Sequence, residues 1–356
     1  MTVASIDRSS QAGGTQETTR FGDRLADRVA ARESQLVLGL DPDPNRLWPD
    51  ALRIADADKG AVAEKGAVAE KGGDAEKRAD AQKGPGAANG AGSALPALHA
   101  ARAVATHCAL AIDAVAEYCV AVKLQVACFE RLGPAGWSAL AETAARARES
   151  GLLVIADAKR GDIDVTATAY AQAFLGETPT PYGPVPGLGA DALTVNPLLG
   201  RDSLEPFVAT ARAHGRGLFV LVRTSNPGAS DVQEVELAGG GTVSDLLADL
   251  VDEAGATGVG RSGLSDIGAV VGATAPDRMH ALRERMPHAS FLLPGVGAQG
   301  GQVEDLAAAF AAGPAGGLIA ASRGIVAAHE KAGGDPATAA AREASRLREL
   351  AWPLAA

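Results

Sequence analysis

Eight short, continuously apolar runs, each preceded by a helical pattern, constrain this chain more than any other feature. They are QLVLGL from Gln35, CVAVKL from Cys119, LLVIAD from Leu152, DALTV from Asp191, GLFVLV from Gly217, IGAVVG from Ile267, FLLPG from Phe291 and GLIAAS from Gly317. A strand with one wet face alternates apolar and polar residues, whereas a run that is apolar throughout must be buried on both faces. Between the runs, apolar residues recur at helical spacing, as Phe21, Leu25 and Val29 do in FGDRLADRVAARES. The other helical patterns cover residues 96–117, 136–150, 166–175, 203–214, 243–254, 276–286 and 302–312. Buried strands alternating with helices make an all-parallel sheet, and eight such units close into a (β/α)8 TIM barrel. A doubly wound open sheet would call for GxGxxG after the first strand, where this chain has Asp41-Pro42-Asp43-Pro44. One α/β barrel domain over residues 21–356 is therefore expected.

Two segments stand outside that rhythm. Residues 1–20 are rich in Ser, Thr, Gly and Gln without periodicity and read as a flexible leader. After the first strand, residues 56–94 repeat AVAEKG in tandem and place a lysine every six residues from Lys59 to Lys83. That period fits neither helix nor strand, and Val62 and Val68 are the only large apolar residues between Lys59 and Ala94. Such a segment cannot bury enough surface to offset about 1–2 kcal/mol per residue of ordering. It is expected to be a low-complexity insertion, disordered or a fraying helix.

The rest of the chain, 47% hydrophobic over 356 residues, can bury a large core. A formal charge of −10 with no basic run argues against nucleic acid as partner, though a small anion needs only one or two local donors. Cys108, Cys119 and Cys128 fall at no metal or redox spacing and sit in apolar segments, as expected in a reducing cytoplasm. The N-terminus has no apolar core of a signal peptide, and no stretch reads as a membrane span, so a soluble cytoplasmic protein without membrane contact is expected.

In a barrel, the chemistry sits where the strands end at their C-terminal side, because loops from all eight units converge there. The polar residues at those ends are Asp41, Lys123, Asp157 with Lys159, Asn196, Thr224 with Ser225, and Arg323. Asp41 could serve as a helix cap, and Asn196-Pro197 equally as a turn. Lysines at strand ends cap nothing. Lys123 and the DAKRGD cluster bring ammonium and carboxylate groups together at the mouth of a core, an arrangement costly to assemble and more readily explained by function than by stability. A lysine held between carboxylates stays protonated, which suits a proton donor better than a Schiff-base nucleophile. Downstream, PGVGAQGG from Pro294 lets backbone approach an anion closely, and Arg323 adds a charged fork.

The ordered set DAKRGDI, AVKLQ, LGLDPDP, DALTVNPLLGRDSLEPF, RTSNPGA, LLPGVGAQGG and ASRGI resembles the orotidine 5'-phosphate decarboxylases, in particular a bacterial subgroup with longer loops. The likeness runs from Leu36 to Val326 outside the insertion. It implies a carboxy-lyase of pyrimidine biosynthesis that converts orotidine 5'-phosphate (OMP) to UMP without a cofactor or metal. It further implies a charged catalytic array of Lys123, Asp157, Lys159 and Asp162, with Lys159 as proton donor. Asp162 and Thr166 would reach into the neighbouring site of a homodimer with composite active sites. By the same likeness Asp41 binds a ribose hydroxyl, Ser225 the pyrimidine, and Gln299, Gly300 and Arg323 the phosphate. Asn196 is carried as a further substrate-binding candidate, and Gln233, in the long loop 226–242, as a weaker one. Two other readings remain to be weighed: a metal-dependent sugar-phosphate lyase using the carboxylates as ligands, and a nucleotide-binding protein without catalysis.

Overall fold

A computed structural model describes residues 19–57, 88–297 and 299–355. Most of the expected leader, and residues 58–87 of the expected insertion, lie outside the described residues. A helix α1 (Phe21–Arg32) precedes strand β1 (Leu36–Leu40), and a helix α2 over residues 49–57 leads to the insertion. Helix α3 (Ala88–Val115) starts within the span assigned to that insertion. Then follow β2 (Ala121–Gln125), α4 (Val126–Glu130), α5 (Pro134–Glu149), β3 (Leu153–Arg160) and α6 (Asp164–Phe174). A short antiparallel hairpin, β4 (Glu177–Thr178) and β5 (Val185–Pro186), interrupts the Pro/Gly-rich loop. The second half runs β6 (Ala192–Val195), α7 (Arg201–Ala213), β7 (Gly217–Arg223), α8 (Val243–Gly255), β8 (Ile267–Val271), α9 (Pro276–Arg285), β9 (Phe291–Pro294) and β10 (Gly317–Ala321).

The eight long strands close a barrel in the order β1-β10-β9-β8-β7-β6-β3-β2, every pair parallel. The TIM barrel read from the sequence is what forms. Strand periodicity divides its core in two. Leu36, Leu38 and Leu40 of β1 point out to the helices, as do Val122 and Leu124 of β2 and Val154 and Ala156 of β3. Val37, Ala121, Leu153, Ile155, Ala192, Phe219, Val270, Leu292, Leu318 and Ala320 fill the interior. Helix α1 closes the bottom: Phe21, Leu25 and Val29 join the interior cluster, and Phe21 meets Phe219 edge to face at 6.0 Å. Gly217 makes room for that ring, since a Cβ there would lie 2.2 Å from Phe21.

Some elements differ from the sequence reading. The segment expected as a helix over 302–312 is a 3-10 helix (Glu304–Ala312). Among the described residues three α-helices follow the last strand, α10 (Arg323–Val326), α11 (Ala328–Ala332) and α12 (Pro336–Ala351). The last is capped by Asp335, whose carboxylate accepts the Thr338 amide at 2.8 Å, and it packs on α3. Contrary to the sequence reading, one stretch, Leu95–Val115 of α3, is long and apolar enough to cross a membrane. Packing meets part of its apolarity, since Val104, Cys108, Ala111, Ile112 and Val115 are buried in the layer between helices and barrel, while Leu95 and Leu98 are exposed.

Candidate active site

The same period of two that sends Ala121, Ile155 and Ala192 into the interior sends Lys123, Asp157 and Thr194, two residues further on, into the layer above. There the apolar filling stops and a cavity of about 370 Å³ opens, floored by Leu221, Val270, Leu292 and Ala320. All three polar residues are buried, Asp157 to 5% and Lys123 to 8% exposure, so none can rely on water. Their needs are met by one another. Lys123 Nζ donates to Asp157 Oδ2 at 2.6 Å and lies 3.8 Å from Asp41, while Lys159 Nζ donates to Asp157 Oδ1 at 2.6 Å. The Thr194 hydroxyl donates to Asp157 Oδ1 at 2.9 Å, and Gln125 Nε2 to Oδ2 at 3.3 Å.

Lys159 reaches this cluster through an irregularity in β3. The pairing of β3 with β6 shifts register between Ala156 and Arg160, and Lys159 takes a left-handed backbone with φ +49°. Lys159 and Asp157 lie two positions apart in sequence, and the bulge sets both side chains at the mouth. The strained turn is held by the Lys159 amide, which donates to Thr194 Oγ1 at 2.9 Å.

The electrostatics follow from burial and pairing. Burial alone would raise the Asp157 pKa, but Lys123 and Lys159 reverse this and bring it from 3.8 to about 2. Burial presses Lys123 toward neutrality, and Asp157 with Asp41 outweighs it, so its pKa is raised. Asp157 and Lys123 are thus held ionised around neutral pH, with the Asp157 carboxylate accepting from both lysines.

On the opposite rim Ser225, Gly295, Gln299 and Arg323 line the cavity. Among the described residues no carboxylate pairs with Arg323, which opens α10 and faces solvent. A floor of hydrocarbon, a charged wall and, across the opening, an exposed guanidinium suit a small flat ligand with an anionic group at its Arg323 end.

The sequence profile of the orotidine 5'-phosphate decarboxylase / HUMPS family matches residues 101–341. The chain belongs to this family. It is 47% identical over 231 residues to the orotidine 5'-phosphate decarboxylase of Rhodopirellula baltica, covering 65% of this chain and 75% of that one. The enzyme of the same name from Haloarcula marismortui is 41% identical over 314 residues, 88% of each chain. The solved OMP decarboxylase of Leishmania donovani superposes with a TM-score of 0.60 at 28% identity, covering 93% of this chain and all (100%) of that one.

Of the decarboxylase residues expected from sequence, Asp41, Lys123, Asp157, Lys159, Ser225, Gln299 and Arg323 converge on the one cavity. Four do not line it. Asp162 accepts the Ile163 amide at 2.9 Å, and Thr166 is exposed on α6. Asn196 accepts the Leu198 amide at 3.0 Å, which is the turn its sequence allowed. Gly300 donates its amide to the Gly297 carbonyl at 3.0 Å inside its own loop. Gln233 also stands back from the cavity: its Oε1 accepts the Thr224 amide at 2.8 Å and braces the strand end. Gln125 and Thr194 touch the array and were not singled out from sequence. The signal that finds them is phase: each sits two residues beyond an inward-facing position or at a strand's last residue.

Proposed function

We propose that the chain decarboxylates OMP to UMP and CO2 without a cofactor, with Lys159 delivering the proton to C6. The observation that carries this reading is the Lys123–Asp157–Lys159 array, two ammonium groups sharing one buried carboxylate at 2.6 Å each. Loss of CO2 from C6 leaves an electron pair that the ring carbonyls cannot delocalise, so positioned charge has to stabilise it. Lys159, part-exposed at the mouth, would meet that charge and protonate it. Asp157 would face the departing carboxylate: unit charges about 4 Å apart at an effective dielectric near 20 repel by about 4 kcal/mol, an upper value that the lysines reduce. Arg323 and Gln299 would hold the phosphate, Asp41 a ribose hydroxyl and Ser225 the pyrimidine. Binding energy gathered at the remote phosphate can then serve the reacting carbon.

A homodimer with composite sites would account for Asp162 and Thr166, which lie outside the cavity. Around Asp162 and Thr166 the surface exposes Ile163 and Val165, the latter to 82%, and after β6 it exposes Leu198 and Leu199. A second copy covering this apolar ground would carry Asp162 and Thr166 to its own cavity. Cytoplasmic placement suits three cysteines that are all free. The metal-dependent lyase reading has a weaker donor set, because both oxygens of Asp157 are engaged by ammonium groups and the described residues hold no cluster of three metal-ligating side chains.

The test is direct. Purified protein is mixed with OMP and the fall in its ultraviolet absorbance is followed, with and without a chelator. Chelator-insensitive turnover that Lys159→Ala abolishes is expected. Absence of turnover, or full turnover by Lys159→Ala, overturns the proposal.

A further inference from the structure

Past Arg323 the surface does not return to the acidic character of the rest of the chain. A groove of about 890 Å³ runs from Gly297, Arg323 and Gly324 along α11 and α12, and it shares Arg323 and Gly324 with the cavity at the expected phosphate end. Its cations divide into two kinds. Arg46 is held by Glu330 at 2.7 and 2.8 Å, and Arg346 by Glu343 at 2.7 Å. Arg323, Lys331 and Arg342 line the same groove, and among the described residues no carboxylate pairs with them. Against these three stands Glu349, whose Oε1 accepts the Ser345 hydroxyl at 3.0 Å. In a chain of net charge −10, a run of unpaired cations continuing from the phosphate end is an anion track.

We propose that this groove binds the β- and γ-phosphates of a pyrimidine nucleoside di- or triphosphate whose base and α-phosphate occupy the active-site cavity. The inference rests on the proposed placement of the substrate phosphate at Arg323. From there the next phosphate leaves the cavity between Arg323 and Gly324, the residues common to both spaces, and enters the field of Lys331 and Arg342. Such a ligand arises by phosphoryl transfer to the product of the proposed reaction. It would compete with substrate without any second site, giving the enzyme inhibition by a later product of its own.

The experiment compares UMP, UDP and UTP as competitive inhibitors of OMP decarboxylation in magnesium-free buffer, for the parent and for Lys331→Ala/Arg342→Ala. In the parent, UTP is expected to bind about 10-fold more tightly than UMP, as two charge-assisted phosphate contacts allow. The double variant should bring UTP back to the level of UMP while leaving UMP inhibition and turnover unchanged, which also shows that it is folded. Glu349→Gln should strengthen UTP further, and added salt should weaken UTP more than UMP. If UMP inhibits and OMP is turned over, but UTP binds no better than UMP or is indifferent to the double variant, this inference alone is overturned. If the parent neither turns over OMP nor binds UMP, the placement of the phosphate falls and the inference with it.

Discussion

Asp157→Asn isolates the charge at the centre of the array. The substitution keeps size and shape and removes the carboxylate that Lys123 and Lys159 share at 2.6 Å. A folded pKa of about 2 against an ordinary 3.8 means that the ionised group stabilises the fold by about 2 kcal/mol at neutral pH. The variant also strands Lys123 at 8% exposure with Asp41, 3.8 Å away, as its remaining partner. Breaking a buried pair in this way costs roughly 3–5 kcal/mol. The loss expected at pH 7 is therefore about 2–5 kcal/mol, read from urea unfolding midpoints of the two proteins. Its pH dependence follows from the sign of the shift. Because the folded pKa is depressed, the contribution is complete above about pH 4 and disappears as pH falls toward 2. The difference between parent and variant should thus be flat from pH 5 to 8 and fall by about half of the carboxylate's contribution by pH 3. A variant as stable as the parent at pH 7, or a deficit undiminished at pH 3, would refute the view that an ionised Asp157 anchors both lysines.

Other perturbations address separate parts of the molecule. Lys159→Ala should lower turnover by at least about a hundredfold while UMP still binds, measured as kcat and inhibition constant in the absorbance assay. Mixing Asp157→Ala with Asp162→Ala protein should recover activity that neither has alone, and subunit exchange without recovery would count against composite sites. Arg283 is buried, has no carboxylate partner among the described residues, and donates to the carbonyls of Met286, Ala289, Ala309 and Gly316 at 2.7–2.9 Å. Arg283→Met should cost about 3 kcal/mol or more in the urea midpoint with little change in KM, because those carbonyls lose a buried charged donor and none of them lines the cavity. Gly217→Ala drives a methyl into the Phe21 ring and should cost about 1–3 kcal/mol by the same measurement.

What the sequence made legible was whatever strand periodicity or charge placement encodes. Runs such as IGAVVG and GLIAAS have no wet face, and that property alone forces parallel strands under helices. Lys123, Asp157 and Arg323 were legible because a charge at the end of such a run has no structural errand. The hairpin of β4 and β5 was not, since two-residue strands of Glu, Thr, Val and Pro carry no period. Helix α12 was passed over because it follows the last strand, where the alternation that exposes the other helices has ended. Asn196 and Gly300 stand apart from the cavity lining, each making a bond within its own backbone turn that its residue type alone did not reveal.

Thr194 shows how a residue central to the site can be invisible in a run of letters, and it yields a sharp test. In DALTV it looks like a β-former among others, yet the alternation places it inward beside Ala192, one layer up. Its hydroxyl does two things at once, donating to Asp157 Oδ1 at 2.9 Å and accepting the Lys159 amide at 2.9 Å. One oxygen thus fixes the carboxylate and pins the left-handed turn that aims Lys159, the proposed proton donor. Thr194→Val keeps the shape and removes both bonds, leaving a part-buried amide and a carboxylate oxygen short of a partner, at about 1–3 kcal/mol in stability. If Thr194 positions the array rather than merely filling space, kcat should fall by more than tenfold with KM for OMP little changed, and Thr194→Ser should restore most of it. A valine variant that loses stability but retains kcat would show that Lys159 finds its place without the bulge being held, and would remove Thr194 from the machinery.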